Sequence, residues 1–556
     1  MPTTAANSIA NRWLLLYGII LLCGICLACG LGRLGFPCPR GDDAMYKSPA
    51  AELAQHGRLA IPCALGFLPQ AEAVFANYPP VYQLVLSVWY LVFGVSLRSS
   101  LAFDYTVHLL GTAAVMEITR RLLRTGESIS VGLSPFAPRK PRSFAERKAT
   151  LISAPVLSYD MAASPRSVAQ EATPLAPGVA IAITAGVGLL HLANVGYFDR
   201  PEELGLLWVW LELLTAARAG RMGWLRSGLC VGMAGLTSPW VGVLGLMTVC
   251  LRTLLGNGTI PFQSVIRRGL RCAMVAGTAL SLAAAWYAVM ESQFPGAVHA
   301  QFSAAAGYLK DAQLSEKVGD RLWIFFYTVM YRPAQLPAAA AIIVFFPLAL
   351  AAGIRSARNP LGLSLYVAGV VGVLAVAAFR PIAYTYLGAS LVLLLPCLAP
   401  ALSRYCRGPG ASARVGFVML ILCTIVGWKD VALMSASAWQ TPPAQRPDRV
   451  MQRLTAAIPP GEPVAVLALH WHWFQGRNPW REAHFSSLVD PREVLECRWL
   501  VLSPGLGKPK FIDAFEQVDE IASAQDPARC YGYTLWRRRE QPAQRSLTDA
   551  GNLTTP

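Results

Sequence analysis

Apolar runs of roughly twenty residues recur along this chain, and they decide its class before any motif does. Residues 13–31, 101–123, 175–195, 272–290, 361–379 and 415–433 are such runs. At about 1.5 Å of rise per residue, a helix of that length spans the roughly 30 Å hydrocarbon core of a bilayer. Strands of a membrane barrel would alternate over about ten residues instead. In hydrocarbon only helices and closed barrels satisfy their backbone groups. Charge is scarce to match: 14% of the residues are charged and 54% hydrophobic, where soluble domains carry about a quarter charged. The expectation is an all-α polytopic membrane protein.

The formal charge of +16 suggests nucleic acid until its placement is followed. Arginines gather in short loops: Arg120, Arg121 and Arg124, then Arg218, Arg221 and Arg226, then Arg267, Arg268 and Arg271, then Arg404, Arg407 and Arg414. This is the positive-inside pattern, and no nucleic-acid partner is expected. Residues 79–97 are apolar enough to span, but a span there would put the basic segment after residue 123 outside. They are expected to form a helix lying in the membrane surface. Arg12 precedes the first run as in a signal peptide. That run is too long for an h-region and Cys38-Pro39-Arg40 is a poor cleavage site, so the span is expected to be retained. The count comes to about eleven spans.

Residues 1–437 are thus expected to form a transmembrane domain, with external loops at 32–100 and 291–335 and a cytoplasmic linker rich in Pro, Ser and Arg at 125–173. Within the first loop Ser48, Pro49 and Gly57 read as N-cap, first residue and end of a short helix. Residues 438–540 read as a small external α/β domain, with strands at 464–469, 499–503 and 531–536 and a helix over 511–521. A disordered tail, 541–556, closes the chain. The 13 cysteines show no zinc-ribbon spacing. Cys23, Cys26 and Cys29 share one face of the first span. Cys38 with Cys63, and Cys497 with Cys530, are external pairs that form disulfides if that side is oxidising.

Chemistry concentrates at Gly41-Asp42-Asp43-Ala44-Met45-Tyr46, where the chain leaves the first span. Acids beside a bilayer are costly to place. A carboxylate here serves as general base toward an acceptor hydroxyl or amine, or as ligand to a divalent cation, or simply ends the span in the head-group region. Asp199, Glu202 and Glu203 make a second external acidic group; they share a site with Asp42, or only favour the dipole of the helix they start. Arg380, beside Tyr384 and Tyr386, holds a phosphate or snorkels to the interface. His470 and His472 alternate as on one strand face, and without a third ligand at useful spacing they read as a polar face and not a metal site.

Gly41–Tyr46, the helix 50–56, Tyr78-Pro79-Pro80-Val81-Tyr82 and Phe93-Gly94-Val95-Ser96 resemble the first external loop of GT-C class integral-membrane glycosyltransferases. More narrowly they are similar to the branch of the dolichyl-phosphate-mannose protein mannosyltransferases and bacterial aminoarabinose transferases. The resemblance implies that Asp42 is the catalytic acid with Asp43 beside it, and that Pro79-Pro80 opens a juxtamembrane helix. It implies a second-loop acid at Asp199 or Glu202, and donor-phosphate contacts near Arg380 and Tyr384. It implies transfer of one sugar from a polyprenyl-phosphate donor to a lipid, protein or polysaccharide acceptor. The place would be the outer, periplasmic face of the plasma (bacterial inner) membrane. Members differ in their need for a divalent cation such as Mg or Mn, so the metal stays open. Thr237-Ser238-Pro239 stands where some relatives carry a Lys. A flippase for lipid-linked sugars is the alternative; it predicts interrupted, repeated helices with midplane charges, whereas the acids here sit at span ends.

Overall fold

The computed structural model describes residues 3–38, 43–64, 68–130, 200–216, 222–256, 262–311, 359–379, 384–405, 432, 434–466, 468–483, 491–503, 511–521 and 531–539. The expected spans at 175–195 and 336–353, most of that at 415–433, and the tail after residue 540 lie outside the described residues.

The chain opens with α1 (Thr3–Leu34), α2 (Asp43–His56), α3 (Val81–Phe93) and α4 (Leu97–Ser130). In α1, Leu15, Ile19, Leu22 and Ile25 form an exposed stripe while Ala28 and Leu31 are buried; Cys23, Cys26 and Cys29 are exposed as well. Helix α3 has 13 residues, about 20 Å of rise, which is short of a bilayer core. It buries Tyr82, Leu86 and Tyr90 and exposes Leu84, Val88, Leu91 and Val92. That length and two-sidedness suit a helix lying along a membrane surface. Gly94, at φ 78°, ends it by taking a conformation most side chains resist.

Next come α5 (Glu202–Thr215), α6 (Gly223–Gly235), α7 (Pro239–Leu255), α8 (Phe262–Gln293) and α9 (Ala297–Asp311), then α10 (Pro360–Phe379) and α11 (Tyr384–Tyr405). The turn between α6 and α7 falls at Thr237-Ser238, with Pro239 in the first turn of α7 where its missing N–H is no loss. Its backbones cross so closely that a Cβ on Gly242 would lie 2.4 Å from the Gly235 Cα. A buried carboxylate staples the same helices. Glu212, fully buried, accepts from Arg252 Nη1 at 3.0 Å and Nη2 at 2.7 Å and from Ser227 Oγ at 2.8 Å. Among the described residues Val265–Gln293 and Pro360–Ala378 are long and apolar enough to cross a membrane, and Gly18–Leu34, Pro239–Leu255 and Tyr386–Cys397 are shorter apolar helices.

The C-terminal part carries α12 (Pro447–Ala457), α13 (Pro491–Glu496) and strands β1 (Val464–Val466), β2 (Trp480–Glu482), β3 (Trp499–Leu502), β4 (Phe515–Ile521) and β5 (Tyr533–Arg538). They form one mixed sheet in the order β2-β1-β3-β5-β4. β1 is parallel to β2 and β3, and β5 is antiparallel to β3 and β4. Side chains alternate between two cores, as period-two geometry requires. Ala465, Leu500, Leu502, Phe515 and Trp536 fill one. Val464, Val466, Val501, Tyr533 and Leu535 join the other, which continues without a break through Leu31, Tyr46, Ala50 and Tyr82 of the first four helices. The sheet therefore shares one continuous core with the first loop.

Several sequence expectations are corrected here. Helix α2 begins at Asp43, with Pro49 inside it and Ser48 at mid-helix, not at an N-cap; ten buried side chains, from Asp43 to Glu52, carry it past the proline's lost hydrogen bond. Residues 515–521, expected as helix, are strand β4. A bulge at Val518, between Gln517 and Asp519, lets apolar residues at helical spacing serve a strand: Phe515 enters one core, Ile521 the other, and Val518 is left 48% exposed. Strand β1 stops at Val466, and Ala468–Trp473 is a 3-10 turn, so His470 and His472 do not lie on a strand face. Strand β2 was not expected.

Gln301 of α9 ties the second loop to the first. Its Oε1 accepts from Ala76 N at 2.8 Å and Asn77 N at 3.0 Å, and its Nε2 donates to Pro69 O at 2.9 Å and Val74 O at 2.8 Å. The side chain is fully buried. Orphaning buried backbone groups costs about 1–3 kcal/mol each. Gln301→Leu is therefore expected to lower the unfolding temperature in detergent by several degrees. Gln301→Glu, which keeps the acceptors and loses the donors, should fall between. Equal melting of wild type and Gln301→Leu would contradict this.

Candidate active site

Two adjoining clusters form around α2. The first gathers Tyr46 of α2, Tyr78 just before α3, Arg200 and Glu202 at the start of α5, and Tyr386 of α11. Arg200 Nη2 donates to Tyr46 Oη at 2.9 Å, and Tyr46 Oη donates to Tyr78 Oη at 3.0 Å. Arg200 Nε lies 3.3 Å from Glu202 Oε2. The guanidinium sits 5.1 Å from the Tyr46 ring centre and 5.9 Å from that of Tyr386, within cation–π range. Trp240 Nε1 fixes the last of these by donating to Tyr386 O at 3.1 Å. Burial, with Glu202 and Tyr386 beside it, holds the Tyr78 phenol well above its usual range, so it stays a protonated donor. Glu202 Oε1 is buried without a hydrogen-bond partner.

The second cluster is ionic and dry. Lys47 Nζ lies 2.6 Å from Asp43 Oδ1 and 2.6 Å from Asp104 Oδ2 of α4. Trp471 Nε1, from the sheet side, donates to Asp43 Oδ2 at 2.7 Å. Asp43, Lys47, Asp104 and Trp471 are all buried. Beside them His472 Nε2 meets Ser100 Oγ at 2.8 Å, and Ser100 also meets Tyr90 Oη at 2.5 Å.

Of the residues expected at the site, Glu202 joins the first cluster and Asp43 the second. Asp42, Asp199 and Arg380 lie outside the described residues, and for Tyr384 only its place as first residue of α11 is described. Glu203 parts from Glu202: it lies 3.2 Å from His108 Nδ1, beside a small, largely apolar cavity of about 40 Å³ between α4, α5 and α11. The residues missed by sequence reasoning are Arg200, Lys47, Asp104 and Trp471. Cys38 and Cys63 are both buried free thiols; Cys63 Sγ lies 3.5 Å from Ser48 Oγ, and burial pushes it up to about 12. Cys497 is also a free thiol, and Cys530 lies outside the described residues. Among the described residues no three His, Cys, Asp or Glu side chains gather as a metal site.

His470 and His472 titrate far from their usual range. Burial pushes each down to about 3; at His472 Asp43 opposes this and Lys47 adds to it. An unfolded His takes up its proton near 6.5. The unfolded chain therefore binds protons between about pH 6.5 and 3 that the folded chain refuses. The stability this confers is full above about pH 6.5 and falls by about 1.4 kcal/mol per His for each unit below. His470→Phe, which keeps the contact with Trp473, should flatten the fall in unfolding temperature between pH 6.5 and 5. An unchanged slope would contradict the assignment.

No protein-family model matches the sequence, and no curated protein matches it. By structure the chain is similar to ArnT from Cupriavidus metallidurans in the apo state, with TM-score 0.50 and 15% identity over 95% of this chain and 98% of that one. Against ArnT bound to undecaprenyl phosphate the TM-score is 0.53, again at 15% identity over 95% and 98%. The mycobacterial arabinofuranosyltransferase AftD aligns with TM-score 0.42 and 14% identity over 96% of this chain and 40% of that one. The chain thus shares the fold of these two ArnT structures.

Proposed function

We propose that this chain is a glycosyltransferase that moves a single sugar from a polyprenyl-phosphate donor to an acceptor at the outer face of a bacterial inner membrane. In this reading residues 1–437 form the catalytic membrane domain of about eleven spans, and loops 32–100 and 291–335 and the part from 438 to 540 lie outside. The observation that carries it is the Arg200 cluster. In a GT-C fold, Arg200 joins Tyr46 of the acidic motif, Tyr78 of the Pro-Pro motif and Glu202 of the second acidic group. Undecaprenyl phosphate bound to ArnT supports a lipid-linked donor here.

Asp42 is joined to the first residue of α2, and Asp199 to Arg200. Asp42 takes the proton of the acceptor hydroxyl or amine. The freed electron pair attacks the anomeric carbon opposite the phosphate, and the carbon–oxygen bond to phosphate breaks. Polyprenyl phosphate departs with that pair, and the anomeric centre inverts. Arg200, with Arg380 and Tyr384, stabilises the departing phosphate. Asp199 and Glu202 hold the arginine and the sugar. A divalent cation such as Mg takes a near-octahedral set of oxygens; the orphaned oxygen of this cluster, Glu202 Oε1, does not by itself make one, and no step is routed through a metal. The test is release of polyprenyl phosphate by the full chain in nanodiscs from a panel of polyprenyl-phosphate hexoses and pentoses. Release from at least one is expected; none from any overturns the reading.

A further inference from the structure

Away from the Arg200 cluster, a cavity of about 220 Å³ opens between α2 and the edge of the sheet. Helix α2 presents Ser48, Glu52 and His56 to it, residues four apart and so on one helix face. The sheet side supplies Gln475, Trp480 and Arg481. The wall is built and not incidental. Gln475 Nε2 donates to Glu52 Oε1 at 2.9 Å, and its Oε1 accepts from Trp480 Nε1 at 2.9 Å. Gly476, at φ 73°, brings the turn so near that an added Cβ would sit 3.3 Å from Gln55 Nε2.

What this wall offers a ligand is both signs of hydrogen bond. His56 Nδ1 is engaged with Glu52 Oε2 at 2.9 Å, which leaves its Nε2 to the cavity. Arg481 spends Nη1 on Pro62 O and Trp480 O and Nε on Glu493, which leaves Nη2. Glu52 contributes carboxylate lone pairs, and Trp480 with the neighbouring prolines an apolar surface. A phosphate or carboxylate only accepts, and here it would meet Glu52. A hydroxyl both donates and accepts, and a sugar ring adds a C–H face for the apolar wall.

We propose that this cavity is a subsite for neutral sugar units of the acceptor, resting on the transferase reading above. Glu52 lies nine residues along α2 from Asp43, about 14 Å at helical rise, so a short oligosaccharide seated here reaches back toward the acidic motif. The test is calorimetric titration of the full chain in nanodiscs with chitotriose, with maltotriose and with inorganic phosphate. Saturable millimolar binding of at least one trisaccharide is expected, with little for phosphate. His56→Ala, at a half-exposed position where folding is safe, and Arg481→Gln should each weaken it at least fivefold. No saturable trisaccharide binding, binding that both variants leave unchanged, or phosphate binding instead would overturn the subsite. Donor release separates the two readings. Release with no trisaccharide binding overturns the subsite alone. Binding with no release from any donor supports the subsite as a glycan site and overturns the transfer chemistry.

Discussion

Arg200→Gln is expected to lower sugar transfer about 10²- to 10³-fold, the range seen when one preorganised donor to a developing negative charge is removed. Arg200 is well placed for that work. It is mostly buried, its Nε is engaged by Glu202, and its plane is steadied by the rings of Tyr46 and Tyr386. Such a guanidinium needs little reorganisation when charge appears. The kinetic form of the loss discriminates between roles. If Arg200 acts on the departing phosphate, kcat falls with kcat/KM. If it only holds the donor in the ground state, KM rises and kcat stays. The first pattern is expected. Arg200→Lys should recover only part of the rate, because an ammonium supplies charge without the planar fork. A Gln variant with wild-type kcat would remove Arg200 from the chemistry.

The mostly helical class was legible in the sequence because long apolar runs leave the backbone so few solutions. Charge placement argues against a span at residues 79–97, and the helix found there, α3, has 13 residues with Leu84, Val88 and Leu91 exposed. What stayed hidden was decided by long-range pairing. Val518 reads as one step of a helical stripe until the bulge against β5 gives it a different part. Trp471 and Asp43 lie far apart in the chain, and no local pattern announces that an indole from the sheet will reach a carboxylate in the first loop. Two site residues did carry a usable signal. Lys47 stands four residues after Asp43, the spacing at which helical charges meet. Arg200 is a cation read as external, between Asp199 and Glu202 of the second acidic group.

The neighbouring acids should part company when each is tested. Asp42→Asn is expected to leave the unfolding temperature unchanged and to lower transfer about 10²- to 10⁴-fold, the contribution of a positioned general base. The Asn side chain keeps the size of Asp and cannot take the acceptor's proton. Around Asp43 the expected effect is on folding. Lys47→Met would leave two buried carboxylates, Asp43 and Asp104, without the ammonium that lies 2.6 Å from each. Breaking a buried pair in this way costs about 3–5 kcal/mol, a large share of the roughly 5–15 kcal/mol that holds a typical protein folded. The assignment of roles predicts a crossed pattern: activity lost with fold kept at Asp42, stability lost at Lys47. Trp471→Phe keeps the ring and removes the N–H on Asp43, so it should destabilise by about 1–3 kcal/mol. It should also slow transfer where it still folds, since it loosens the first residue of α2 and with it the bonded Asp42. Full transfer activity in a folded Asp42→Asn protein would move the base elsewhere, and the buried triad would then stand as an anchor for the loop alone.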